Sequence, residues 1–252
     1  MANQHQSATL SINTTTGIVY LVGAGPGAAD LITVRGAKIL ARANIVLHDA
    51  LVTPEMLELC PQAIKVSVGK RSGQRSAAQE NINQQLVKAA QQHAIVVRLK
   101  GGDPMLFGRA DEEMTALEQA GIRFEIVPGI TTAMAAAASV KLPLTKRGVA
   151  RSVALFTSST APGESAETRI PDCDTLVQYM GGKEAILTAQ RMLAKGFSVD
   201  LPIVIVQSCS RQDEQHLHLT LTELAHALPD CEGPVLVMMG EAMRSRQTQK
   251  TE

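Results

Sequence analysis

An apolar run that turns directly into glycines, Val19-Tyr-Leu-Val-Gly-Ala-Gly-Pro-Gly27, constrains this chain more than any other segment. It reads as a β-strand entering a turn where backbone N–H groups can approach a ligand with no Cβ in the way. The pattern then repeats. Strands are expected at 18–22, 44–48, 63–68, 95–99 and 124–127, with helices at 31–43, 55–60, 76–92 and 110–120 between them. Pro54 suits a first helical position, Ser76 with Gln79 matches a capping box, and Gly121 suits a helix C-cap. Each strand ends in a polar or glycine-rich loop. Open α/β sheets bind ligands at the carboxyl ends of their strands. The turn at 23–27, Asp49, Lys70, Asp103 and Gly129 are therefore expected on one rim.

An Ala-rich helix at 130–140 and an extended connector at 142–145 lead into a second α/β set. Its expected strands are 152–157, 175–179, 203–207, 216–221 and 235–240, and its helices 183–195 and 221–228. The segment 158–169, rich in Ser, Thr, Pro, Gly and Glu, reads as a surface loop. The expected organisation is a disordered tail (1–16), an N-terminal α/β domain (17–130), a C-terminal α/β domain (131–243) and a second tail (244–252). No internal repeat is present.

Composition removes several classes of function. With 45% apolar residues in 252, the chain is globular rather than disordered. No apolar run approaches the ~20 residues of a membrane span, and the polar N-terminus is not a secretory signal, so a cytoplasmic protein is expected. Cys60, Cys173, Cys209 and Cys231 are scattered without a CxxC pair, and the histidines at 48, 93, 216, 218 and 226 form no ligand set. His216 and His218 share one strand face and read as solvated. No metal site is expected. The net charge is zero, but 65–151 holds thirteen Lys/Arg against seven Asp/Glu, which suits an anionic ligand. The chain has no Trp and only Tyr20 and Tyr179, which argues against stacking on nucleic-acid bases.

Two ligand classes compete for the first loop. Gly23, Gly25 and Ala28 fit G-x-G-x-x-A, and Asp49, 21 residues further on, stands near the expected ribose-binding acid of a dinucleotide site. Pro26 counts against this, since it removes an N–H from a pyrophosphate cradle. A nucleoside-triphosphate loop is excluded because no Gly-Lys-Ser/Thr follows.

The second class comes from longer motifs. Val22-Gly-Ala-Gly-Pro-Gly27 with Leu31-Ile-Thr-Val-Arg35 resembles the first signature of the uroporphyrinogen-III C-methyltransferases. Val97-Arg-Leu-Lys-Gly-Gly-Asp-Pro-Met-Leu-Phe-Gly-Arg109, followed by Val127-Pro-Gly129, resembles the second. Val46-Leu-His-Asp-Ala-Leu-Val52, Val68-Gly-Lys-Arg71 and Leu176-Val-Gln-Tyr-Met-Gly181 add three matches, so the resemblance spans about residues 18–243. It implies two α/β domains of the tetrapyrrole methyltransferase type with the active-site cleft between them. It also implies a homodimer and transfer of methyl groups from S-adenosyl-L-methionine to C2 and C7 of uroporphyrinogen III. The products are precorrin-2, on the way to sirohaem, cobalamin or haem d1, and S-adenosyl-L-homocysteine.

Residue roles follow from the same resemblance. Pro26, Gly101, Gly102, Asp103, Leu106, Thr131, Thr132, Met180, Cys209 and Val235 correspond to donor contacts, with the Asp103 carboxylate suited to the methionine ammonium. Asp49 corresponds to the proton acceptor and Lys70 to the proton donor, with Arg109 and Glu112 as rival participants. An arginine base requires strong depression of its pKa. Uroporphyrinogen carries eight carboxylates, for which arginine forks are the natural device. Arg71, Arg75, Arg147 and Arg151 are the candidates, with Arg109 and Lys146 beside them. The bland readings are that Asp49 caps a turn, Lys70 is a surface lysine, Arg109 pairs with the acids at 111–113, Met180 is core and Cys209 is a small buried residue. The chain departs from the family pattern at Ala50 (usually Arg), at Thr145-Lys-Arg-Gly-Val149, at Ser158-Ser159 and at Met105-Leu106. With the chain starting just before the first strand, methyltransferase activity alone is expected, without the dehydrogenase and ferrochelatase module fused to some relatives. The remaining rivals are a methyltransferase for a later corrin precursor, an NAD-dependent oxidoreductase and a tetrapyrrole carrier.

Overall fold

Five parallel strands carry the first half of the molecule: β1 (Ile18–Gly23), β2 (Ile45–His48), β3 (Ile64–Ser67), β4 (Ile95–Lys100) and β5 (Phe124–Val127), in the order β3-β2-β4-β1-β5. The structure, a computed structural model, describes residues 16–69, 75–159, 169–182, 184–228, 231 and 233–245, residues 75–78 by their backbone only. Residues 1–15 and 246–252, most of the two expected tails, and residues 160–168 of the expected surface loop lie outside these. Strand alternation sorts the core. Val19, Leu21 and Val96 face α3 (Arg75–Gln92) and α4 (Ala110–Gln119), packing with Leu86, Ala90 and Leu117. Val22, Val97 and Leu99 face α1 (Val34–Leu40) and α2 (Pro54–Leu57), packing with Leu40 and Met56. A sheet buried on both faces fits its near-continuous apolar strands.

Helix starts follow local chemistry. The helix expected from 31 begins at Val34, because the Thr33 hydroxyl accepts the Gly36 N–H at 3.1 Å and ends a preceding 3-10 turn, Ala29–Leu31. The capping box expected at Ser76 and Gln79 falls outside the described residues, because the Ser76 side chain is not among them; the Gln79 amide donates to Asn83 and Glu113.

The second sheet holds β6 (Val153–Thr157), β7 (Thr175–Tyr179), β8 (Pro202–Gln207), β9 (Gln215–Thr220) and β10 (Val235–Met239), ordered β6-β7-β10-β8-β9. Only β6 and β7 pair in parallel; β10 runs against both β7 and β8, and β9 against β8. The Ala-rich α5 (Thr132–Ser139) covers one face through Ala133 and Ala136, packed with Val177, Val206 and Leu236. The other face carries α6 (Glu184–Ala194) and α7 (Leu221–His226), where Met192 and Leu224 meet Leu176, Ile205 and Val237. Thr220 and Glu223 form a capping box on α7. Among the described residues no helix is long and apolar enough to cross a membrane.

The ends of β1, β4 and β5 meet at van der Waals limits. A Cβ on Gly129 would lie 2.3 Å from the Gly102 carbonyl oxygen and 2.8 Å from Gly23 Cα. Replacing Gly129 by alanine must push these backbones apart. Gly129→Ala is expected to lower stability by about 1–3 kcal/mol, read as a lower urea midpoint at unchanged slope.

Candidate active site

The rim at the carboxyl ends of the first sheet is built from backbone. Past the sheet, β1 and β4 stay locked: Ala24 N–H donates to the Lys100 carbonyl at 2.7 Å, and Gly25 and Gly102 exchange N–H donations at 3.2 and 2.7 Å. Asp103 ties this pair to the β5 loop. Its Oδ2 accepts from Gly129 N–H at 2.9 Å and its Oδ1 from Met105 N–H at 2.8 Å. A carboxylate has about four acceptor positions, so Asp103 keeps capacity for a ligand cation. An ideal Cβ on Gly102 meets nothing within 4 Å, so the surface beside Asp103 is open.

This topology rules against a dinucleotide loop. In that motif the ribose acid ends the strand beside the glycine turn and a helix opens directly after it. Here β4 lies between β1 and β2, which sets the Asp49 strand about 9–10 Å from β1. The turn leads into a 3-10 segment, and α1 begins only at Val34.

Asp49 belongs instead to a buried ionic cluster. Arg98 and Lys100 alternate along β4 and share the face toward α3 and α4. Glu113 of α4, fully buried, accepts from Arg98 Nε and from Lys100 Nζ, each at 2.8 Å. Arg98 Nη2 continues to Asp49 Oδ1 at 2.5 Å, while Asp49 Oδ2 faces Gly101 N–H at 3.4 Å. Burial pulls the Arg98 pKa down, but Asp49 and Glu113 outweigh it and hold the group above its ordinary value. Lys100 lies below the lysine range because of burial and the neighbouring Arg98 charge. Two cations and two carboxylates thus balance under the rim and fix the Asp49 carboxylate from below.

The second half supplies the facing wall. Tyr179, at the end of β7, shares a 2.5 Å hydrogen bond with Thr131 and accepts from Ala133 N–H at 3.1 Å. Burial raises its phenol pKa, partly offset by those bonds. Its ring meets Phe107 of the β4 loop at 5.1 Å, tilted 52°. Met180 follows in a left-handed conformation (φ 55°) and is half exposed. The Cys209 carbonyl stands 2.9 Å from a Gly27 Cβ position, and Ser210 Oγ accepts from Ala28 N–H at 2.9 Å. The Cys209 thiol is buried, and burial with the Glu214 charge pushes its pKa up to about 12. Glu214 is held by Ser210 N–H, Ser139 and His216, so His216 is partnered rather than simply solvated.

Ten donor-contact candidates were expected. Pro26, Gly101, Gly102, Asp103 and Leu106 lie on the first rim, and Thr131, Thr132, Met180 and Cys209 on the wall facing it. Val235 is buried behind them, its carbonyl accepting from Gly181 N–H at 3.2 Å. Arg109 and Glu112 form a bidentate pair with each other at 2.6 and 2.7 Å on the exposed start of α4. Lys70 and Arg71 lie outside the described residues, as does the Arg75 side chain. Gly69, just before Lys70, abuts Ala50, with a Cβ position 2.4 Å from the Ala50 nitrogen. Arg147 and Arg151 are exposed elsewhere: Arg151 N–H bonds Asp174 at 2.8 Å, before the start of β7 and so at the opposite end from Tyr179. Among the described residues no His/Cys/Asp/Glu group could hold a metal ion. Arg98, Lys100, Glu113 and Tyr179 were missing from the expected site. Two charges in an otherwise apolar strand, and one of only two tyrosines, were the available signals.

A backbone floor on one parallel sheet and a wall of turns from a second, mixed sheet define an α/β protein of two sheets, each covered by helices on both faces, whose loops meet at the carboxyl rim of the first. Residues 18–225 match the family described as Tetrapyrrole (Corrin/Porphyrin) Methylases, and the chain belongs to that family. It is similar to siroheme synthase 2 of Yersinia pestis (strain Pestoides F), 43% identical over 231 residues that cover 90% of this chain and 49% of that protein. The chain thus spans about half the length of the curated relatives it matches. Among solved structures, it is similar to the Thermus thermophilus uroporphyrin-III C-methyl transferase complexed with S-adenyl homocysteine. That match has TM-score 0.78 and 36% identity, over 90% of this chain and 94% of that one. A cobalt precorrin-4 methyltransferase matches with TM-score 0.77 and 27% identity, over 90% and 96% of the two chains.

Glu113→Ala leaves Arg98 and Lys100 buried with Asp49 as their only countercharge, and is expected to cost about 3–5 kcal/mol in urea denaturation. Cys209, with a thiol pKa of about 12, should resist iodoacetamide at pH 8 in the folded protein; mass spectrometry of the alkylated sites should find the half-buried Cys173 and Cys231 modified before it.

Proposed function

We propose that this chain is an S-adenosyl-L-methionine-dependent C-methyltransferase that methylates uroporphyrinogen III at C2 and C7, giving precorrin-2 and S-adenosyl-L-homocysteine. The observation that carries the reading is the glycine floor at the ends of β1, β4 and β5, faced by Thr131, Met180 and Cys209 across the cleft. The likeness to the Thermus thermophilus enzyme over nearly its whole length supports it.

The residues present fit the donor. Gly102 leaves open space beside the main chain, the free acceptor positions of Asp103 suit its ammonium, and Pro26, Gly101, Leu106, Thr131, Thr132, Met180, Cys209 and Val235 complete its surroundings. The donor supplies an electrophilic methyl group on a sulfonium. The protein's task is to align that methyl with an electron-rich pyrrole carbon, which makes positioning the main contribution. A proton must then leave the macrocycle. Asp49 accepts it: its carboxylate is half-buried on the rim beside Gly101, held by Arg98 through one oxygen. Arg109 and Glu112 are less suited, being paired with each other in solvent. Lys70, next after Gly69, supplies the returning proton.

Arg71 and Arg75, which come after β3 in the sequence, bind substrate carboxylates in this reading. Arg147 and Arg151 are the weaker two of the four, because their backbone lies at the far end of the second sheet. Each half has its own sheet, which supports a division into domains at 17–130 and 131–243. A cytoplasmic homodimer, binding neither nucleic acid nor membrane, completes the reading. The similarity to a cobalt precorrin-4 methyltransferase favours a later corrin precursor as the second choice of substrate.

Anaerobic incubation with uroporphyrinogen III and methyl-labelled donor should add two methyl groups to the macrocycle; none, beside an active control enzyme, defeats the proposal. Calorimetry should detect S-adenosyl-L-homocysteine and not NAD. Asp49→Ala should lower kcat by about 100-fold or more while donor affinity stays within about twofold; loss of donor affinity instead would remove Asp49 from the proton-transfer role.

A further inference from the structure

We propose that Arg211 anchors a carboxylate of the tetrapyrrole where its side chain crosses from the turn after β8 to the loop that holds Asp49. This rests on the C-methyltransferase reading. The side chain leaves the turn after β8 and passes over the first glycine loop, its Cγ 2.9 Å from where a Gly27 Cβ would stand. It ends in the other half of the molecule, where Nη2 donates to the Leu51 carbonyl at 2.7 Å. Leu51 follows Ala50, where the family's Asp-Arg-Leu-Val run has become Asp-Ala-Leu-Val. A guanidinium is thus brought beside the position that lacks one.

The electrostatics of Arg211 are incomplete as they stand. It takes part in none of the ion pairs among the described residues. Glu214, three residues on, is engaged by Ser210 N–H, Ser139 and His216. The Arg211 Nε is buried with no hydrogen-bond partner. A guanidinium carries five N–H donors in a planar fork matched to carboxylate, and here one nitrogen has an acceptor. The tether to Leu51 orders a long side chain before any ligand arrives, which lowers the entropy lost on binding.

Both substrates carry carboxylates: the macrocycle on its periphery and the donor on its methionine part. Arg211 lands on the loop that holds Asp49, not on the loop at Gly101 and Asp103, so the macrocycle is the assigned source.

Calorimetry with uroporphyrin III, the stable oxidised macrocycle, tests this without requiring turnover. Arg211→Ala should weaken uroporphyrin III binding roughly tenfold or more, and Arg211→Lys by less, since the charge stays and the fork is lost. S-adenosyl-L-homocysteine affinity should stay within about twofold in both, which also reports an intact fold. Ala50→Arg placed in the Arg211→Ala background should restore most of the lost affinity, an effect that a merely structural role does not produce. Unchanged uroporphyrin III affinity in Arg211→Ala overturns the proposal. So does a loss confined to S-adenosyl-L-homocysteine, which assigns the carboxylate to the donor. Wild-type protein that transfers no methyl group yet binds uroporphyrin III through Arg211 overturns the enzyme reading and leaves the anchor standing.

Discussion

The buried contact of Glu113 with Arg98 and Lys100 organises the first half of this protein. Placing two cations inside a sheet is costly unless their charge is met and their donors are bonded. A single carboxylate on α4 meets both, so the helix cannot slide along the sheet without breaking two charge-assisted bonds. Arg98 then passes the constraint on to Asp49, on the neighbouring strand's loop. One electrostatic requirement therefore sets the position of a helix, the register of a strand end and the orientation of the carboxylate that the proposed chemistry uses.

The glycine contacts close the rim of the sheet from above, as the ionic cluster supports it from below. Gly23, Gly102 and Gly129 approach so closely that no side chain separates the three loops, and Asp103 closes the arrangement by binding Gly129. The opposing wall is joined by contacts of a different kind: a ring pair between Phe107 and Tyr179, a hydroxyl cap from Ser210 to Ala28, and the Arg211 tether to Leu51. These are few and largely side-chain mediated, whereas the floor is held by peptide groups.

Much of the architecture could be read from sequence because each strand of the first sheet is punctuated at its carboxyl end by glycine or aspartate. Strand order could not. Nothing local to Ile45–His48 says that β4 will insert between it and β1, yet that insertion decides against a dinucleotide site. The antiparallel course of β10 was equally hidden: Val235–Met239 is buried throughout, and a fully apolar strand carries no sign of direction. Asp49 and the loop at Gly101 to Asp103 stood out by chemistry and position. Glu113 did not, because an acid among the other acids of α4 looks solvated until tertiary contacts show which one turns inward. Arg211 was passed over for a similar reason, since its meaning lies in a residue 160 positions away.

The glycine floor divides the cleft into a part with side chains to exchange and a part without. Where the surface is peptide backbone, substitution can only add bulk and damage packing; it cannot alter a charge or shift a hydrogen-bonding pattern by small steps. The walls offer that freedom at every position. On the proposed reading, the main-chain part of the site is held fixed by packing, while the side chains around it, on both walls, remain open to change.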